Sequence, residues 1–257
     1  MNITLQGVTF SYRSTPTIQK VDLQLRDKEV LGLIGPNGSG KTTLLKCINK
    51  ILEPKQGTIL LDGQNMKKMS RQQVARQVGY VPQHSQDSTD GLPVYEVVLM
   101  GRKPHISWAS TQKDDEKVWD ALKALNIEHV ANRNFFELSG GEQQRVLVAR
   151  SIAQEAKVLL LDEPTSSLDI RHQLEVMELT RQLVAKQNLS AAIAIHDLNL
   201  AARFCDKIVM LKAGEIYATG DAKSVLVKEN IGAVYGVDVE LNFGGKVPFI
   251  IPISAIV

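Results

Sequence analysis

Nine residues, Gly35-Pro36-Asn37-Gly38-Ser39-Gly40-Lys41-Thr42-Thr43, constrain this chain more than any other stretch, because they fit G-x-x-x-x-G-K-[ST]. A short apolar run, Glu29 to Ile34, leads into them, and a helical pattern runs from Lys41 to about Lys50. A chance glycine turn would have neither flank. A buried strand feeding a helix through a glycine-rich loop begins a βα unit. Gly35, Gly38 and Gly40 let the backbone curl so that the N–H groups of Asn37, Ser39 and their neighbours face one phosphate chain. The helix starting near Lys41 points its positive end at the same anion. Lys41 reaches the outer phosphates, Thr42 offers a hydroxyl to Mg²⁺, and Thr43 is expected among the nucleotide-binding residues. The loop indicates a nucleotide and leaves the task open.

A second pattern supplies the missing carboxylates. Val158-Leu159-Leu160-Leu161-Asp162-Glu163-Pro164 is a buried strand delivering two acids at its C-terminal end. In such a fold that is where a second metal anchor belongs, and Asp162 suits it. Glu163 is placed to polarise an attacking water as general base. Further strands are expected at Ile3–Phe10, Val21–Leu25, Gly79–Val81, Ala191–Ile195, Ile208–Leu211 and Glu215–Ala218. Lys212-Ala213-Gly214 hinges the last two. Gly57 to Gly63 reads as hairpin-like, Leu168 to Gln187 as an amphipathic helix, and Val94 to Ala149 as mostly helical.

Composition narrows the setting. With 257 residues, 44% hydrophobic, the chain can bury a sizeable core. A formal net charge of +2 gives no support to a nucleic-acid partner. Cys47 and Cys205 lie far apart and are not spaced as metal ligands, which suits a reduced chain. Met1 to Gln6 is not expected to be a signal peptide, and apolar runs such as Phe249 to Val257 are too short to cross a bilayer.

Leu138-Ser139-Gly140-Gly141-Glu142-Gln143-Gln144-Arg145 decides the family. Taken alone, Ser-Gly-Gly before a helical run is a good helix start, and it is equally an anion site. Standing shortly before Asp162-Glu163, it resembles the LSGGQ-like signature of ABC ATPases, with Glu142 where the commonest form has Gln. The resemblance spans nearly the whole chain. Tyr12 resembles the aromatic residue that stacks on adenine, and Gln83 the Q-loop glutamine that senses Mg²⁺. Ser166-Ser167-Leu168-Asp169 resembles the D-loop, and His196 the switch histidine at the γ-phosphate.

The resemblance implies an α/β fold: a P-loop NTPase, RecA-like core with an antiparallel β sub-domain and an inserted α-helical sub-domain. The core with its β flank is expected at about 1–83 and 150–220, the helical sub-domain at about 84–149 and a tail at about 221–257, all in one ATPase domain. ATP and Mg²⁺ are the implied cofactors, with Thr42, Gln83 and Asp162 at the metal and Glu163, His196, Lys41 and Gln83 catalytic. A head-to-tail homodimer would place Ser139, Gly140, Gly141 and Glu142 of one copy on the nucleotide held by the other. Permease subunits, a substrate-binding protein and the cytoplasmic face of the cell membrane complete the implied setting, with no nucleic acid. Val94-Tyr95-Glu96-Val97-Val98-Leu99-Met100-Gly101-Arg102-Lys103-Pro104-His105 and the ending Val234-Tyr235-Gly236-Val237-Asp238-Val239 resemble ATPases that import iron-siderophores, haem or vitamin B12. ATPases for zinc or manganese import, for export, or acting away from membranes share the chemistry and remain the alternatives.

Overall fold

The computed structural model describes residues 1–83, 91–166, 168–245 and 248–256. In chain order the strands are β1 (Ile3–Phe10), β2 (Ile18–Leu25), β3 (Val30–Ile34), β4 (Gln56–Leu61), β5 (Gln64–Asn65), β6 (Val78–Val81), β7 (Val158–Asp162), β8 (Ser190–Ala194), β9 (Lys207–Lys212), β10 (Glu215–Gly220), β11 (Val237–Asn242) and β12 (Phe249–Ala255). The helices are α1 (Lys41–Ile48), α2 (Arg71–Ala75), α3 (Val94–Leu99), α4 (Gln112–Ala124), α5 (Gly140–Ala153), α6 (Ile170–Gln187), α7 (Leu198–Phe204), α8 (Ala222–Val225) and α9 (Lys228–Tyr235).

Two sheets carry the site. The larger has the order β10-β9-β3-β8-β7-β6, with β9, β3, β8, β7 and β6 parallel and β10 antiparallel at its edge. Every residue of β3, β7 and β8 is buried, because layers cover both faces of this sheet. Alternation divides their side chains. Leu31, Leu33, Leu160 and Ala192 point to the core shared with α1 and the second sheet. Val30, Ile34, Leu159, Leu161 and Ile193 point to the core shared with α3 to α7. The second sheet, β2-β1-β4-β5, is antiparallel, and β1 alternates buried and open positions as a one-faced strand does.

The register brings the C-terminal ends of four parallel strands to one edge. Asp162 pairs with Ala194, Leu33 with Ala194, and Val81 with Leu161. The glycine loop, Asp162-Glu163, His196 and Gln83 therefore leave the sheet side by side, where ligands of open parallel sheets bind. The expected strand at Val21 begins earlier, at Ile18, since β2 pairs with β1 as far as Phe10. The helical stretch from Val94 is interrupted by tight turns at Met100–Arg102, Glu128–Val130 and Phe135–Glu137. After Asp221 the chain forms α8, α9 and a β11–β12 hairpin, with Leu226, Ile231, Val239 and Ile250 buried in the larger core.

Candidate nucleotide-hydrolysis site

The phosphate loop is built to receive an anion. α1 has no side-chain cap and no acid in its first turn, so its leading N–H groups are open. Lys41 is 4% exposed and its Nζ donates to the carbonyls of Gly35 (2.8 Å) and Pro36 (3.2 Å). Burial pushes its pKa below the ordinary lysine value, while Glu163 and Asp162 work in the opposite direction. Ser39 Oγ is buried with no hydrogen-bond partner among the described residues, a donor aimed into the loop. Thr17 joins Asn37, Gly38, Lys41, Thr42 and Glu163 in lining the cleft. No pattern in the sequence marks Thr17; the β1–β2 turn carries it there.

The end of β7 closes the site. Thr42 Oγ1 donates to Asp162 Oδ1 at 2.7 Å, and Tyr80 Oη donates to Asp162 Oδ2 at 2.8 Å. Burial first, and then the Asp162 charge, pushes the Tyr80 phenol up, which keeps it a proton donor. Sequence reasoning did not assign Tyr80. Its place follows from the pairing of β6 with β7, 82 residues further along the chain. Glu163 has φ 51°, the left-handed region that non-glycine residues avoid, and such strain concentrates at working sites. Gln83 Nε2 donates to Glu163 Oε2 at 2.6 Å, and His196 Nε2 pairs with Glu163 Oε1. Ser166 Oγ donates to the Glu163 carbonyl at 3.1 Å. Ser167, expected in the same loop, lies outside the described residues.

The signature residues sit apart from this constellation. Ser139 caps α5: Glu142 N–H donates to Ser139 Oγ (3.4 Å), while Ser139 N–H (2.9 Å) and Oγ–H (2.7 Å) donate to Glu142 Oε2. Those bonds hold the Glu142 carboxyl below its ordinary value. A Cβ on Gly141 would lie 2.5 Å from the His172 ring, so only glycine admits that close packing. His172 is fixed in turn by Asp169, 2.8 Å from its Nδ1. Sequence reasoning missed His172. Among the described residues, Ser139, Gly140, Gly141 and Glu142 make no hydrogen bond or ion pair with the phosphate loop of the same chain. Tyr12 is 59% exposed and rests edge-on against Phe10, with ring centroids 5.0 Å apart.

A glycine loop at a parallel-sheet edge, a threonine–aspartate pair and a glutamate held by a glutamine and a histidine define a P-loop nucleoside-triphosphatase, and the separate signature helix narrows the class further. The sequence profile of the ABC transporter family matches residues 18–166. The chain belongs to the ATP-binding proteins of that family and is an ABC transporter ATPase. An ABC transporter ATP-binding protein of Methanocaldococcus jannaschii is 46% identical over 254 residues, covering 99% of each chain. The petrobactin import ATP-binding protein FpuC of Bacillus anthracis is 38% identical over 252 residues, 97% of this chain and 92% of its own. A solved structure described as a metal-chelate type ABC transporter in an inward-facing conformation has TM-score 0.87 and 30% identity, covering 98% of this chain and 97% of that one. Among the described residues no helix is long and apolar enough to cross a membrane.

Proposed function

We propose that this chain hydrolyses ATP to drive import of metal chelates of the siderophore, haem or cobalamin kind. The observation that carries the catalytic part is Glu163, held between Gln83 and His196 beside the Thr42–Asp162 pair. The importer part is supported by the name of the petrobactin relative and by the likeness to the metal-chelate transporter.

Each residue has a task in this reading. The open N–H groups of α1 and Lys41 balance the charge of the phosphates, Ser39 adds a hydroxyl, and Tyr12 stacks on the base. Glu163 takes the proton of an attacking water, its carboxylate oriented by Gln83 and His196. The oxygens offered to the metal in this reading are those of Thr42 and Asp162, 2.7 Å apart, with the side-chain oxygen of Gln83, whose amide nitrogen holds Glu163. Among the described residues no group of three or more His, Cys, Asp or Glu gathers to hold a metal. That set fits Mg²⁺, which takes few protein oxygens and completes its shell with phosphates and water. When bound, Mg²⁺ supplies charge neutralisation on the β- and γ-oxygens.

Among the described residues Ser139 to Glu142 make no bond to the phosphate loop of the same chain, which supports their acting on a partner's nucleotide. Two copies packed head to tail, each offering Ser139 and Gly141 to the other's γ-phosphate, form a sandwich that closes on ATP and opens after hydrolysis. This dimer sits with permease subunits and a substrate-binding protein at the cytoplasmic face of the membrane. Residues 1–83 and 150–220 serve as catalytic core and β flank, 84–149 as helical sub-domain and 221–257 as tail. The test is to use ATP-loaded Glu163→Gln as bait in detergent-solubilised membranes of the source organism. Recovery of a multi-helix permease with a chelate-binding protein is expected; ribosomal or DNA-bound partners without a permease would overturn the transport assignment.

A further inference from the structure

The nucleotide chemistry described so far gives His172 no task, yet the signature turn rests on its ring. Asp169 caps α6, and one of its oxygens, Oδ1, accepts from both the His172 backbone N–H (2.9 Å) and the His172 ring at Nδ1 (2.8 Å). The backbone bond first, and then the ring bond, hold the Asp169 carboxyl below its ordinary value. An ionised carboxylate only accepts, so Nδ1 carries the hydrogen of that bond. The opposite edge of the ring faces Gly141, where a Cβ would lie 2.5 Å from Cδ2 and 3.2 Å from Nε2.

The same surface receives the rest of the turn. A Cβ on Gly140 would lie 3.3 Å from Leu168 Cδ2, so both signature glycines face the segment from Leu168 to His172. That segment is itself tied down: Gln173 Nε2 donates to the carbonyls of Thr165 and Leu168, both at 3.1 Å. Further along the two helices, Arg145 of α5 donates to Glu175 Oε2 at 2.6 Å, and Arg171 donates to Glu175 Oε1 at 2.9 Å. The starts of α5 and α6 are thus joined at two places. Glycines bring no side chain to hold a turn in place, so its position is set by what packs against it. Packing alone would not need a polar ring; the bond to Asp169 fixes the angle at which this ring meets Gly141.

We propose that His172 is a positioning residue for the signature turn: its ring, oriented by Asp169, sets where Ser139 and Gly141 stand for a partner's γ-phosphate. This rests on the head-to-tail reading of the composite site above. Among the described residues His172 makes no hydrogen bond with Lys41, Thr42 or Asp162 of its own chain, so the chain's own hold on ATP does not depend on it. Positioning and packing part at that point. A misplaced turn harms turnover and ATP-driven pairing of chains, and leaves ATP affinity and stability of the single chain in place.

The experiment compares wild type with His172→Asn, whose amide keeps a donor for Asp169 but ends short of Gly141. Four quantities are read: ATP affinity of the dilute chain with Mg²⁺, maximal hydrolysis rate over a range of protein concentrations, melting temperature, and ATP-driven dimerisation in a Glu163→Gln background. His172→Asn is expected to bind ATP as tightly as wild type and to melt within about 4 °C of it. Its maximal rate should fall about tenfold to a hundredfold, as small misplacements of a reacting group do. In the Glu163→Gln background it should need about tenfold more protein to dimerise with ATP, the worth of one hydrogen bond to phosphate. A rate or a dimerisation that stays at the wild-type level would overturn the inference. So would ATP affinity, rate and melting temperature falling together, which marks lost packing. A wild-type specific rate independent of protein concentration, with no ATP-driven dimer, would remove the head-to-tail reading and this inference together; a concentration-dependent wild type beside an unaltered His172→Asn removes the inference alone.

Discussion

Glu163 shows what one side chain contributes here. Its two oxygens are taken by Gln83 and His196, so a neutral amide at that position keeps the shape and removes the proposed base. Glu163→Gln should bind ATP about as well as wild type and hydrolyse it roughly 10²- to 10³-fold more slowly, as measured by phosphate release. Tyr80→Phe should act more mildly. It removes one of two hydrogen bonds to Asp162, and the Mg²⁺ concentration needed for half-maximal hydrolysis should rise about threefold to tenfold. Gly35 to Thr43 and Asp162-Glu163 are legible in the sequence because a short motif follows an apolar run that can only be a buried strand. Tyr80, Thr17 and His172 are not. Each gains its place from tertiary neighbours far off in the chain, and a lone tyrosine, threonine or histidine carries no periodic signal.

At the scale of elements, the region between β6 and β7 is held by an ion network. Arg102 is 3% exposed and donates to Asp114 (2.9 Å), to Glu155 (2.8 Å) and to the Ala153 carbonyl (2.7 Å). Lys117 reaches Glu155 at 2.8 Å. Arg102→Met would leave Asp114 buried without its cation and should cost on the order of 3–5 kcal/mol, read from denaturant unfolding. The same network makes stability depend on pH. The hydrogen bond from Arg102 lowers Asp114 from 3.8 to about 2, and that from Lys117 lowers Glu155 from 4.5 to about 2. Both folded values lie below the unfolded ones, so this stabilisation is fully present above about pH 4.5 and is lost as pH falls toward about 2. The melting temperature should fall across that window in wild type and fall less steeply in Arg102→Met. Elements with strong periodicity, such as α6, are readable in advance. The turns at Met100–Arg102 and Phe135–Glu137 are not, because Arg102 reads as a solvated helix end until Asp114 and Glu155 fold around it.

For the whole molecule, the separation of the two glycine motifs is the controlling fact. Ser139 and Glu142 satisfy each other at the exposed start of α5, while the phosphate loop lies at the edge of the large sheet with its lysine bonded to its own carbonyls. In the proposed reading a single chain has half of a composite site at each of two places, and a second copy completes both. The C-terminal segment, legible in the sequence only through the resemblance at residues 234–239, packs into the same core as the helices. Hydrolysis should accordingly need two chains, and its specific rate should rise with protein concentration until the dimer is saturated.

The central claim is that ATP itself joins two copies into the working unit. The measurement that meets it most directly is the mass in solution of Glu163→Gln, by light scattering, with and without Mg²⁺ and ATP. The account predicts monomer without nucleotide, dimer with ATP, and monomer again when Lys41→Ala is added to the same chain. A Glu163→Gln protein that binds ATP and stays monomeric at every concentration tested would contradict it.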